Sequence, residues 1–120
     1  MLCLNTDPGI NSTEFNRFSP PDDKQKFTLL CKELREKFDA EAASSGKPAY
    51  ILSAALGCRK PDIDAGYEID KISQYLDFLN LMTYDLRGPT DEIASHHSAL
   101  YSGSYEEGEQ KVINQVNLTI

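Results

Sequence analysis

Apolar positions change period along this chain, and each change marks a new element. Phe27, Leu30, Cys31, Leu34 and Phe38 recur at spacings of three and four, the stripe of an amphipathic helix. Lys24, Lys32, Glu33, Arg35, Glu36 and Lys37 fill the other face. Ser19-Pro20-Pro21-Asp22-Asp23 forms the helix entry, with acids at the positive end of the dipole. Ser44-Ser45-Gly46-Lys47-Pro48 stops it. Residues 49–56, AYILSAAL, are then a short apolar run between turn signals, which predicts a buried strand. A loop is expected over 57–66. A short helix is expected over 67–75, using Ile69, Ile72 and Leu76, and a second strand over 76–84. A polar loop follows to about 104, and a helix begins in 106–116 with Val112, Ile113 and Val116 as its apolar face.

Helix, strand, helix, strand, helix is the alternation of an α/β fold with a parallel sheet. Two strands cannot complete such a sheet, whose faces must both be covered. The pattern therefore reads as a middle slice of something larger. Residues 1–18 show no clear periodicity and carry turn formers, including Asp7-Pro8-Gly9. They are expected to be a separate, unrelated segment, with the organised part running over 19–120.

Composition narrows the classes. The 120 residues are 40% hydrophobic and 26% charged, which fits one ordinary domain rather than a disordered or membranous chain. A net charge of -7 argues against nucleic acid or an anionic membrane as partner. No apolar run approaches a membrane span, and MLCLNTDPGI has neither the basic start nor the apolar core of a signal peptide. Cys3, Cys31 and Cys58 have no metal spacing, and Cys31 sits in the helical stripe as a small hydrophobe. The adjacent pair His96-His97 has no suitably spaced acidic or cysteine partner for a metal. Sequons at Asn11 and Asn117 matter only in a secreted chain.

The candidate chemistry lies at the exit of the second strand. Leu-Asn-Leu-Met-Thr-Tyr-Asp delivers Asn80, Met82, Tyr84 and Asp85 to one end. Buried parallel strands are usually uniformly apolar, so polar groups gathered at the exit point to a site. Residues two apart share a face, which puts Asn80, Met82 and Tyr84 together. Ala54 and Ala55, small where the first strand ends, leave room for a ligand to approach.

Residues 19–101 resemble the glycoside hydrolase family 18 chitinases, close to their chitotriosidase and acidic-chitinase group. SPPDDKQKFTLLCKELREKF is similar to the helix after barrel strand four, AYILSAAL to strand five, and IDAGYEIDKISQYLDFLNLMTYD to the approach to strand six and that strand. The Met-x-Tyr-Asp ending and His96-x-Ser98-x-Leu100-Tyr101 carry the likeness. The resemblance implies a fragment of a (β/α)8 TIM barrel with its site at the C-terminal strand ends. The fragment would run from the helix after strand four to the start of the helix after strand six. It also implies cleavage of β-1,4 bonds between N-acetylglucosamine units of chitin by a substrate-assisted, retaining route. That route needs neither cofactor nor metal. The expected partner is chitin or a chito-oligosaccharide, the expected location extracellular, and the parent protein a monomer.

Matched position by position, the resemblance implies that Tyr84 bonds the acetamido carbonyl. Met82 and Ala55 line the pocket under the distorted sugar, Asp85 contacts substrate, and Asn80 faces inward. The catalytic acid is missing. The motif D-x-x-D-x-D-x-E, counted back without gaps, falls on Asn5, Pro8, Ile10 and Ser12, and Glu14 is out of register. Without such an acid the leaving group has no proton donor. The family's Gly-Ser-Trp is Gly88-Pro89-Thr90 here, and the chain has no tryptophan as a sugar platform. The expectation is an inactive fragment of a chitinase, such as a truncated transcript would encode. The alternatives are a chitin-binding lectin of the same family, or an unstable piece that aggregates or melts without cooperativity.

Overall fold

The computed structural model describes residues 1–5, 22–88, 95–108, 111 and 114. Strand β1 (Leu2–Asn5) is followed by helix α1 (Asp23–Ser45), strand β2 (Leu52–Gly57), helices α2 (Lys60–Gly66) and α3 (Ile69–Ile72), and strand β3 (Phe78–Met82). The strands form one sheet in the order β1-β2-β3, and both pairings are parallel. The α/β class and the parallel sheet are as the pattern predicts.

Alternation along the strands sorts the two faces. Leu52, Ala54 and Leu56 of β2 are fully buried and form a core with Cys31, Tyr67, Ile72 and Leu76. Leu4 of β1, Leu79 and Leu81 of β3, and Phe27, Leu34 and Phe38 of α1 pack against that core. The helices therefore cover one face of the sheet. Cys31 is indeed a buried hydrophobe, and burial pushes its thiol pKa up to about 11, which leaves it unreactive. Phe27 meets Tyr67 edge-on, with ring centroids 5.7 Å apart.

Gly46 closes α1 at φ 69, its amide bonded to the Ala42 carbonyl. This is the left-handed cap that the Ser-Ser-Gly-Lys-Pro run predicts. Two expectations need correction. The segment expected as a loop over 57–66 contains helix α2, because Pro61 sits in the first turn, where a missing N–H costs nothing. Asp62 reinforces that turn by pairing with Arg59 at 2.7 Å. Residues 1–18 show no clear periodicity, and only two strands were expected, yet Leu2–Asn5 forms a strand in register with residues 52–55 of β2. Among the described residues the sheet thus has three strands, not two. The short helix expected over 67–75 is shorter, at Ile69–Ile72. Of the helix expected in 106–116, Val112, Ile113 and Val116 lie outside the described residues. Glu106, at the start of that stretch, pairs with Arg87 at 2.8 Å.

One carboxylate fixes the entry end of the sheet. Asp77, just before β3, accepts the Leu52 amide at 2.8 Å and pairs through the same Oδ2 with the Arg35 guanidinium of α1. Its own amide donates to the Leu52 carbonyl at 2.8 Å. Arg35 Nε reaches the Tyr75 carbonyl at 2.9 Å. The Leu52 amide, then Arg35, hold the Asp77 carboxyl below its ordinary range. A second tie joins α1 to α3. Thr28 donates to Glu68 at 2.8 Å, and Lys71 pairs with Glu68 at 2.7 Å. The bonds from Lys71, then Thr28, lower the Glu68 pKa.

Candidate saccharide-binding site at the strand exits

The face of the sheet away from the helices carries the candidate residues. Parallel register sets Ala55 of β2 beside Asn80 of β3, and Gly57 beside Met82. Across β2, Cys3 of β1 pairs with Ser53. The Asn80 amide reaches the Cys3 thiol at 3.8 Å. Ala55, Asn80 and Met82 are thus brought together on one surface. Ala54, expected with Ala55 to leave space for a ligand, instead faces the helices and is fully buried.

Ser53 lies on the same surface, 1% exposed, and among the described residues its hydroxyl has no hydrogen-bond partner. A buried, unpaired hydroxyl costs free energy. Neither Ser53 nor Cys3 was singled out in the sequence. The alternation that marks Ala55 would have found Ser53, two positions earlier, by parity.

Beyond Met82 the chain leaves the sheet and turns. Tyr84 is 50% exposed, and among the described residues no side chain partners its hydroxyl. Asp85 has φ 54, the only described non-glycine residue in left-handed backbone. Aspartate tolerates that region as a single residue, at a cost of about 1 kcal/mol.

The segment 95–101 returns to hold this turn. Ser98 Oγ donates to the Thr83 carbonyl at 2.8 Å, and the Leu86 amide donates to the His97 carbonyl at 2.8 Å. The His97 ring sits against Asp85, with Nδ1 3.4 Å from the Asp85 amide and 3.5 Å from its carboxylate. Below, Arg87 and Glu106 form a nearly buried ion pair, and Glu106 also accepts the Gly103 amide at 2.9 Å. Arg87 first, then that amide, lower the Glu106 pKa. The acid-motif positions Pro8, Ile10 and Ser12, with Glu14, lie outside the described residues, as do Asn11, Pro89, Thr90 and Asn117. Among the described residues no cluster of His, Cys, Asp or Glu could hold a metal ion.

Among the described residues, a parallel sheet with helices packed on one face is the local architecture of a β/α barrel. The model for glycosyl hydrolases family 18 matches residues 7–120, so the chain belongs to that family. Chitotriosidase-1 of Mus musculus is 45% identical over 105 residues, covering 85% of this chain and 23% of the relative. The immunomodulatory active chitinase TsES1 of Trichuris suis superposes with a TM-score of 0.74 at 32% identity, over 82% of this chain and 27% of that one. The structure of YKL-39, solved in the presence of chitooligosaccharides (GlcNAc4), superposes with a TM-score of 0.72 at 28% identity, over 82% and 28%. The chain spans about a quarter of the length of these proteins. No described helix is long and apolar enough to cross a membrane.

Proposed function

We propose that this chain is the strand-four to strand-six part of a family 18 barrel, and that its exit surface binds N-acetylglucosamine units of chitin. The observation that supports this is the register that sets Ala55 beside Asn80 with Met82 two positions on, at the strand end that Tyr84 and Asp85 follow in sequence. In this reading β1, β2 and β3 are barrel strands four, five and six. Tyr84 donates its hydroxyl to the acetamido carbonyl, Asp85 takes sugar hydroxyls, and Met82 and Ala55 give an apolar floor. The free Tyr84 hydroxyl suits that role, since no described side chain competes for it. The relative solved with GlcNAc4 makes the ligand class a natural first choice. An extracellular setting, the place where chitin polymer is met, fits the same reading.

The family's substrate-assisted mechanism asks a carboxylic acid to protonate the glycosidic oxygen while the sugar's own acetamido oxygen attacks the anomeric carbon. Counted back from Ser19 the motif meets Asn5, Pro8, Ile10 and Ser12, and strand β1 itself carries no acid, so neither register supplies a glutamic acid. We therefore read the 120 residues as binding without hydrolysis. The test is calorimetric titration with tetra-N-acetylchitotetraose, alongside a turnover assay on the same sugar. Binding without turnover is expected, with affinity reduced about three- to tenfold by Tyr84→Phe, the worth of one hydrogen bond. Turnover that Tyr84→Phe abolishes would overturn the non-hydrolytic reading, and an affinity indifferent to Tyr84→Phe would remove Tyr84 from the site.

A further inference from the structure

His97 and Asp85 share one atom in two incompatible ways. Nδ1 of His97 is 3.4 Å from the Asp85 amide nitrogen and 3.5 Å from Asp85 Oδ1. An amide N–H needs an acceptor there, so Nδ1 must be unprotonated for the first contact. A carboxylate needs a donor there, so Nδ1 must carry a proton for the second. The ring cannot make both contacts at once.

The contact falls on the chain's strained residue. Asp85 has φ 54, and its neighbours are already anchored to the returning segment through Ser98 to Thr83 and Leu86 to His97. Residues 96–101 curve round an open depression of about 540 Å³ beside this turn. Other titratable groups near the turn are His96 and Tyr101 on the same segment, Tyr84 and Arg87 on the strand exit, and Tyr105 and Glu106 beyond. Arg87 and Glu106 pair with each other, and Tyr105 meets Ser95 at 3.0 Å.

We propose that His97 is a positioning residue for Asp85. Its neutral ring accepts the Asp85 amide and leaves the carboxylate open to a sugar. Its protonated ring turns to the carboxylate and withdraws it. The inference rests on the saccharide-binding reading above. It predicts that the site weakens on acidification, as the ring gains a proton. His97 is well exposed, so replacing it leaves the core untouched.

Two measurements on the 120-residue chain, each repeated in His97→Asn, test this. In the first, a ¹⁵N-labelled sample without sugar is titrated from about pH 8 to pH 5. The Asp85 amide resonance is expected to move with the His97 ring and to stay still in the variant. The same movement in His97→Asn overturns the proposal. In the second, affinity for tetra-N-acetylchitotetraose is expected to fall at least about threefold between the two pH limits, and to stay flat in His97→Asn. A wild-type affinity that ignores pH overturns it too. If the sugar binds at neither pH, the saccharide reading itself fails, and the amide titration still decides whether His97 positions Asp85.

Discussion

Leu56 shows how narrow the margin is at single residues. It is fully buried in a core of modest size. Truncating such a side chain costs about 2–5 kcal/mol, a large share of what a small domain holds in reserve. Leu56→Ala is expected to abolish hydrogen-exchange protection of the β2 amides. Retained protection would mean that the core collapses around the gap. Asp85 offers a cleaner separation of stability from function. Asp85→Gly relieves the left-handed backbone, worth about 1 kcal/mol, while removing the carboxylate proposed to meet sugar. Expected together are a higher thermal midpoint and weaker binding of chito-oligosaccharide. Binding that survives the change would take Asp85 out of the ligand contacts. The polar residues at the strand exit were legible from alternation alone. The His97 contact was not, because it depends on a segment twelve residues on folding back.

Among the elements, legibility followed length and punctuation. Helix α1 was readable because it has several turns of apolar stripe and ends at a glycine in left-handed backbone. Strand β1 was not, because four residues show no period and Asp7-Pro8-Gly9 follows at once. Helix α2 was missed because Pro61 reads as a breaker unless it falls in a first turn. The ties between elements are carboxylates, and they set the pH response. Asp77, Glu68 and Glu106 all have pKa values lowered by hydrogen bonds. A lowered folded value gives stability that is present above the unfolded pKa and lost as pH falls through the folded one. Denaturation midpoints are therefore expected to hold above the ordinary carboxylate range of about 4 and to drop below it. Asp77 and Lys71 are substantially exposed, so added salt should shrink their part of the effect. Urea titrations at pH values on either side of that range, repeated with Asp77→Asn, check this. The variant should lose less on acidification, and an equal loss would exonerate Asp77.

At the scale of the whole molecule, the described residues put helices on one face of the sheet only, with β1 and β3 as its edge strands. Leu2, Phe78, Tyr84, Leu100 and Tyr101 are all exposed. Unpaired strand edges next to apolar side chains are templates for association. The 120 residues are expected to melt over a broad range and to associate as they do so, followed by circular dichroism and light scattering. A steep, monomeric transition would show that the 120 residues pack as a unit of their own. The alternation of elements reads as a slice of something larger, because two parallel strands cannot complete a sheet whose faces must both be covered. The third strand strengthens that argument, since it adds another edge without covering the open face.

The knot at Asp77 sets the precision of a surface it never touches. One oxygen fixes where β2 and β3 start relative to each other and ties both to α1. In a strand, position at one end dictates position at the other, and a slip of one residue would send Asn80 and Met82 to the wrong face. Asp77 therefore works as the datum of the site, the fixed mark from which distances along the sheet are measured. A random mutational screen for saccharide binding should recover it among the sensitive positions, three residues or more along the chain from any group on the proposed binding surface.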